Sequence, residues 1–109
     1  MKKVIITAIA LIFSVAGKAQ TDTVRIKTSA ICQECKERIE HDLSFEKGVK
    51  SNVMNLDTKE VTVVYNSQKT DPEKIRVAIT KIGYDADSLK AEAKAFKKLP
   101  ECCRAPGHH

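Results

Sequence analysis

The chain has no tryptophan and only five other aromatic residues, three Phe and two Tyr, in 109 positions. Its hydrophobic interior must therefore be built from aliphatic side chains. It has no apolar run of the roughly 18 to 20 residues that a membrane-spanning helix needs; the uncharged apolar run Val4 to Ala16 is thirteen residues. Basic residues are interleaved with acids, as in Lys36-Glu37-Arg38, so no basic stripe offers itself to nucleic acid. There is no phosphate loop, no Ser-His-Asp set and no facing carboxylate pair, which leaves no basis for a hydrolytic or group-transfer enzyme. No internal repeat or low-complexity linker divides the chain, and its length suits one domain.

The N-terminus reads as separate from that domain. Lys2 and Lys3 precede the apolar run, and the small residues Gly17 and Ala19 follow it. This is the layout of an export signal, residues 1–19, cleaved near Ala19 or Gln20; a retained anchor helix is the alternative, but the run is short for one. No cysteine lies in or just after the run, which argues against a lipoprotein. The expected location is periplasmic or secreted, with no membrane insertion after cleavage. Losing Lys2, Lys3 and Lys18 would leave 16 basic residues against 14 acidic ones, so the +5 of the whole chain overstates the basicity of the mature protein.

Four cysteines in an exported chain raise the expectation of structural disulfides. Their spacing argues against simple staples. Cys32 and Cys35 are one helical turn apart and Cys102 and Cys103 are adjacent, so a bridge within either pair closes almost no loop.

Around these cysteines the pattern predicts a βαββαβ order. Residues 23–28 alternate as a half-buried strand through Val24 and Ile26. From Gln33 to about Phe45, Cys35, Ile39 and Leu43 recur at helical spacing, with Lys36, Glu37, Glu40 and His41 on the polar side. Lys47-Gly48 breaks that helix. Residues 49–56 and 60–65 predict a hairpin, with Val49, Ser51, Val53 and Asn55 on one face of the first strand and Val61, Val63 and Tyr65 on one face of the second. Asp71-Pro72 is an N-cap followed by a proline at the first helical position, Ile75, Ala78, Ile79 and Ile82 supply the apolar face, and Gly83 ends the helix. A short edge strand over 84–87 and a third helix over 88–99, stopped by Pro100, complete the reading, and the last nine residues show no periodicity. The fold class is α+β: a ferredoxin-like sandwich over residues 23–88, then a C-terminal helix and Cys/His tail over 89–109.

The Cys32-Gln33-Glu34-Cys35 pair falls where the first strand hands over to the first helix. Backbone N–H groups and the helix dipole favour thiolates there, and thiolates bind soft metals or exchange disulfides. In this register the chain resembles the heavy-metal-associated domain family of small copper chaperones and periplasmic mercury-binding protein. The resemblance rests on Cys32-x-x-Cys35, Cys35-x-x-x-Ile39-Glu40, Gly48-Val49, Val61-Thr62-Val63 and Ile82-Gly83-Tyr84, and covers about two thirds of the mature chain. It implies that Cys32 and Cys35 are the ligands of a heavy-metal ion, Cu⁺, Hg²⁺ or Zn²⁺, and that the chain is a non-catalytic monomer serving a metal-transporting or metal-accepting partner. The family usually carries Met two residues before the first cysteine, where this chain has Ala30, and small or neutral residues between the cysteines, where it has Gln33 and Glu34. Glu34 either adds a hard oxygen donor that would favour Zn²⁺ or simply faces solvent.

The tail Glu101-Cys102-Cys103-Arg104-Ala105-Pro106-Gly107-His108-His109 carries four further soft or borderline ligands. Cys102, Cys103, His108 and His109 stand as a second site, as an arm that caps the first, or as a free end with a disulfide either inside the tail or to Cys32 or Cys35. Two rival functions remain beside metal transfer. A thiol–disulfide oxidoreductase is opposed by the absence of the Trp and Gly-Pro that surround a thioredoxin-like pair; a binding module with structural disulfides would show no free thiols and no metal.

Overall fold

The computed structural model describes residues 20–104. Residues 1–19, which carry the expected export signal, and residues 105–109, with His108 and His109, lie outside the described residues. Three strands, β1 (Thr21–Lys27), β2 (Val49–Asn55) and β3 (Glu60–Asn66), form an antiparallel sheet in the order β1-β3-β2. Helices α1 (Gln33–Leu43) and α2 (Pro72–Ile82) pack together, and a short helix α3 (Ala93–Lys97) and a 3-10 turn (Glu101–Cys103) close the chain.

Each main helix forms where its own residues dictate. Asp71 accepts a hydrogen bond from the Lys74 N–H at 2.9 Å and Pro72 follows it, so α2 is capped as its sequence predicts. Ile75 and Ile79 are fully buried. In α1, Cys35, Ile39 and Leu43 form the buried stripe. The opposite wall is Val61, Val63 and Tyr65 of β3 with Ile26 of β1 and Met54 of β2. Among the described residues only Tyr65 and Tyr84 join this cluster as buried aromatics, with Phe96 partly buried against it, so the interior is mainly aliphatic as expected. Among the described residues no helix is long and apolar enough to cross a membrane.

The structure corrects the expected face of β2. Val49 pairs with Tyr65, but a bulge shifts the register before Ser51, which pairs with Val64. The side chains after the bulge change sides, so Met54 points into the core while Val53 is 62% exposed. A bulge cannot be read from alternation alone, because it is an extra residue in the count.

The C-terminal strand is also shorter than expected. Ala86 bridges Thr28 on the free edge of β1, where a fourth strand of this fold belongs, but no strand continues from it. Asp87 adopts φ 54°, which ends the extended run. Its N–H donates to the Lys27 carbonyl at 2.8 Å, and its side chain supplies the return bond: Oδ1 accepts the Lys27 N–H at 2.9 Å and Oδ2 accepts from Arg76 Nε at 2.8 Å. Leu89 then bonds back to Ala86 in both directions, and Ala91 donates its N–H to Asp85 Oδ1, so the chain turns where a helix over 88–99 was expected. Only Ala93–Lys97 is helical.

Glu40 ties α1 to the open edge of the sheet. One carboxylate oxygen accepts both Lys36 Nζ at 2.6 Å and the Met54 N–H at 2.8 Å. Burial works against the charged form, but these two donors outweigh it and hold the carboxyl below its usual range. A group with a lowered folded pKa adds stability above its unfolded value, about 4.3, and that contribution is lost as the pH falls through the folded value. Glu40→Gln is therefore expected to cost about 1–2 kcal/mol at pH 7, by analogy with hydrogen bonds to charged groups. In urea titrations the gap between wild type and variant should close as the pH drops below about 4; a gap unchanged between pH 7 and pH 3 would remove the carboxylate from this account.

Candidate metal centre

The first strand runs out at Lys27, and the next four residues steer the chain into α1. Thr28 Oγ1 donates to the Lys59 carbonyl at 3.2 Å and accepts the Ala30 N–H at 3.2 Å. Ser29 Oγ accepts the Asp85 N–H at 2.9 Å, which binds this loop to the segment after α2. Ala30 is fully buried. The loop is thus held on both sides before it reaches the cysteines.

Cys32 is the N-cap of α1, extended at φ −144° and ψ 169°, and its carbonyl accepts the Lys36 N–H at 3.1 Å. Its side chain does not cap the helix. The sulfur is turned instead toward Cys35 Sγ, 3.1 Å away. Cys35 points inward with the core stripe, and Cys32 is half-exposed at the rim. All four cysteines are free thiols.

The tail arrives at the same point. Cys103 Sγ lies 2.7 Å from Cys35 Sγ and 3.6 Å from Cys32 Sγ, and Cys102 Sγ lies 3.3 Å from Cys32 Sγ. The Cys32, Cys102 and Cys103 sulfurs fall within 4.8 Å of one another, a grouping able to hold a metal ion. Sequence alone left the tail as a cap, a second site or a free end; the fold places Cys102 and Cys103 against the first pair. Cys103 is fully buried and Cys102 is exposed.

One neighbour of the sulfurs escaped the sequence reading. Tyr84, expected as a strand residue, is fully buried; its hydroxyl has no hydrogen-bond partner of good geometry and faces the Cys103 and Cys35 sulfurs. Burial and those sulfurs keep it protonated far above its usual range, so it remains a donor. The available signal was Gly83, which turns the chain inward after α2. Glu34 does reach the site's edge: Oε1 is 3.5 Å from Cys102 Sγ and Oε2 is 3.8 Å from Arg38 Nη2. His41 is exposed on the polar side, bonded to Asp42 and stacked edge-on against Phe45, as its position in the helix predicts.

The thiols differ in acidity. Burial opposes ionisation of Cys32, but hydrogen bonds from the Cys35 thiol and backbone N–H, and from the two tail thiols, bring it down to about 7. The same contact with Cys32 pushes Cys102 up to about 11. Burial and the bond to Cys35 push Cys103 up further. Cys32 is thus the most acidic of these three thiols, and a soft cation bound there would displace protons from its neighbours and draw their thiolates to itself.

Comparison with known proteins agrees with this geometry. Residues 26–85 match the heavy-metal-associated domain. A copper-exporting P-type ATPase of Staphylococcus aureus is 37% identical over 81 residues, which is 66% of this chain but only 10% of that transporter. The CopZ metallochaperone superposes with a TM-score of 0.57 at 29% identity, covering 60% of this chain and 98% of CopZ. Oxidized MerP from Ralstonia metallidurans CH34 superposes at 0.59 and 24% identity over 62% of this chain and 94% of MerP, a likeness that speaks for the fold. The ferredoxin-like α+β architecture and the Cys-x-x-Cys register are therefore those of one family, and this chain belongs to it: it is a heavy-metal-associated domain protein, a binder of heavy-metal ions.

Proposed function

We propose that the protein carries a soft metal ion on Cys32 and Cys35 and passes it to a metal-transporting or metal-accepting protein by thiolate exchange. The observation that carries this reading is the pair of sulfurs 3.1 Å apart at the start of α1, one at the rim and one inside. Two thiolates at a rim bind a soft ion without enclosing it, so a partner's thiolate can attack the ion before the first ligands leave. Cu⁺ is the first ion to test, because the relatives include a copper-exporting ATPase and a metallochaperone; Hg²⁺ and Zn²⁺ are the rivals. The protein acts as a monomer and carries no catalytic step. Lys2-Lys3 and the apolar run after them support an exported location, which N-terminal sequencing of the mature protein from its host would check.

The test is transfer. Protein loaded with Cu⁺ is mixed with the metal-free N-terminal domain of a copper-exporting ATPase, and the two are separated and assayed for copper. Copper should reach the domain faster than it reaches a chelator of equal affinity. Equal rates would mean simple release and would set the carrier reading aside.

A thiol–disulfide function is the second reading, favoured by the four free sulfurs lying within reach of one another. Catalytic turnover in insulin reduction would support it, and its absence would leave metal transfer.

A further inference from the structure

The tail cysteines sit on the metal-binding loop because the fold delivers them there. Leu99 is buried next to Gly83, whose missing side chain makes room for it. Pro100 then breaks the backbone, and a single 3-10 turn presents Cys102 and Cys103 at consecutive positions. Arg104 Nε donates to the Leu99 carbonyl at 2.8 Å and closes the turn on itself. The result is four sulfurs in one cluster, with five of their six pairs between 2.7 and 3.9 Å.

We propose that Cys32, Cys35, Cys102 and Cys103 form a single closed four-thiolate site, supplied entirely by one chain, for a soft divalent ion such as Zn²⁺ or Cd²⁺. The inference rests on the carrier reading for its first two ligands and adds the other two. A tetrahedral ion with metal–sulfur bonds of about 2.3 Å sets its sulfurs about 3.8 Å apart. Cys102–Cys103 at 3.9 Å and Cys32–Cys103 at 3.6 Å already meet that span, and side-chain rotation opens the shorter pairs. Four thiolates would overcharge a monovalent ion, whereas a divalent one offsets two of the four charges and fills its coordination shell. The Tyr84 hydroxyl, buried and without a partner of its own, is aimed at the Cys35 and Cys103 sulfurs, where a metal-bound thiolate would accept it.

The same geometry explains why closure does not trap the cargo. Cys102 is exposed and forms the outer ligand. Cys103 is buried in the core beside Cys35, so opening starts at Cys102, whose departure leaves the site open on its outer side. On this view the tail distinguishes ions: divalent ones are held by four sulfurs, while Cu⁺ needs only two.

The experiment compares full-length mature protein with Cys102→Ser and Cys102→Ser/Cys103→Ser variants, each reduced and loaded with one equivalent of Zn²⁺. X-ray absorption counts the sulfur neighbours, native mass spectrometry gives the metal per chain, and circular dichroism confirms folding. Wild type should show about four sulfurs at about 2.3 Å in a monomer. Cys102→Ser, an exposed substitution that leaves the core intact, should lose one, the double variant two, with Zn²⁺ affinity falling at least 100-fold and by more than Cu⁺ affinity falls. An unchanged sulfur number in the variants, or zinc found only in dimers, would overturn the one-chain site. Cys32→Ser/Cys35→Ser separates the two ideas: if it alone abolishes binding, the carrier reading stands and the four-thiolate site falls; if no variant matters, both fall.

Discussion

Protein carrying Cys32→Ser and Cys35→Ser is expected to hold no stoichiometric Cu⁺. Serine keeps the size of the side chain but replaces a soft thiolate with a hydroxyl that stays protonated at neutral pH. Losing only an outer-shell partner of a metal site commonly costs about 10–100-fold in affinity, and losing direct ligands must exceed that. The single variant Cys32→Ser isolates the effect from folding, because Cys32 is half-exposed at the helix start and does not cap the helix with its side chain. Cys35→Ser places a hydroxyl in the buried stripe beside Ile39 and carries a folding cost of about 1–3 kcal/mol in addition. Thermal unfolding with and without metal distinguishes the two losses. An ion that binds only the folded state stabilises it by about 2.7 kcal/mol at a hundred times its dissociation constant. Wild type should show that rise, and Cys32→Ser should show none while unfolding as wild type does without metal. A metal-induced rise that survives in Cys32→Ser/Cys35→Ser would place the binding elsewhere.

The second large effect is expected at Gly83. Its φ is +123°, a backbone conformation that residues with a side chain rarely adopt. A methyl group there would lie 3.0 Å from Leu99 Cγ and 3.1 Å from the Ala95 carbonyl oxygen. Gly83→Ala should therefore destabilise the protein by about 1–3 kcal/mol through backbone strain, with crowding added. The crowding falls on α3 and Leu99, the elements that carry the tail to the cysteine loop. Zinc affinity should consequently fall more than Cu⁺ affinity in this variant, although no cysteine has changed. Chemical denaturation and parallel titrations with the two ions would measure both. Equal losses for both ions would mean that Gly83 acts through overall stability alone.

Much of this molecule was legible before its structure. Ile39 and Leu43 at helical spacing, Asp71-Pro72 at a helix start, and the alternation of Val61, Val63 and Tyr65 are local signals, each readable within one turn or a few residues of strand. The family resemblance rests on such signals, and so does the placement of Cys32 and Cys35 at a strand-to-helix junction. The bulge in β2 was not legible, because it depends on which partner residue each side chain meets across the sheet. Nor was the loss of the fourth strand. There, the Asp87 N–H still donates to the Lys27 carbonyl, but its side chain supplies the acceptor for the Lys27 N–H and bonds Arg76, contacts 60 and 11 residues away along the chain.

The tail shows the division most clearly. Its sequence states that Cys102 and Cys103 are adjacent thiols after a proline, which sets their chemistry and their mutual reach. It does not state where they go. That was decided by Leu99 packing beside Gly83, by the turn that Pro100 begins, and by the depth of Cys35 in the core. Ligand identity is a property of side chains and can be read in order along the chain. Ligand number is a property of distances between residues about 70 positions apart, and only the packed structure sets those distances.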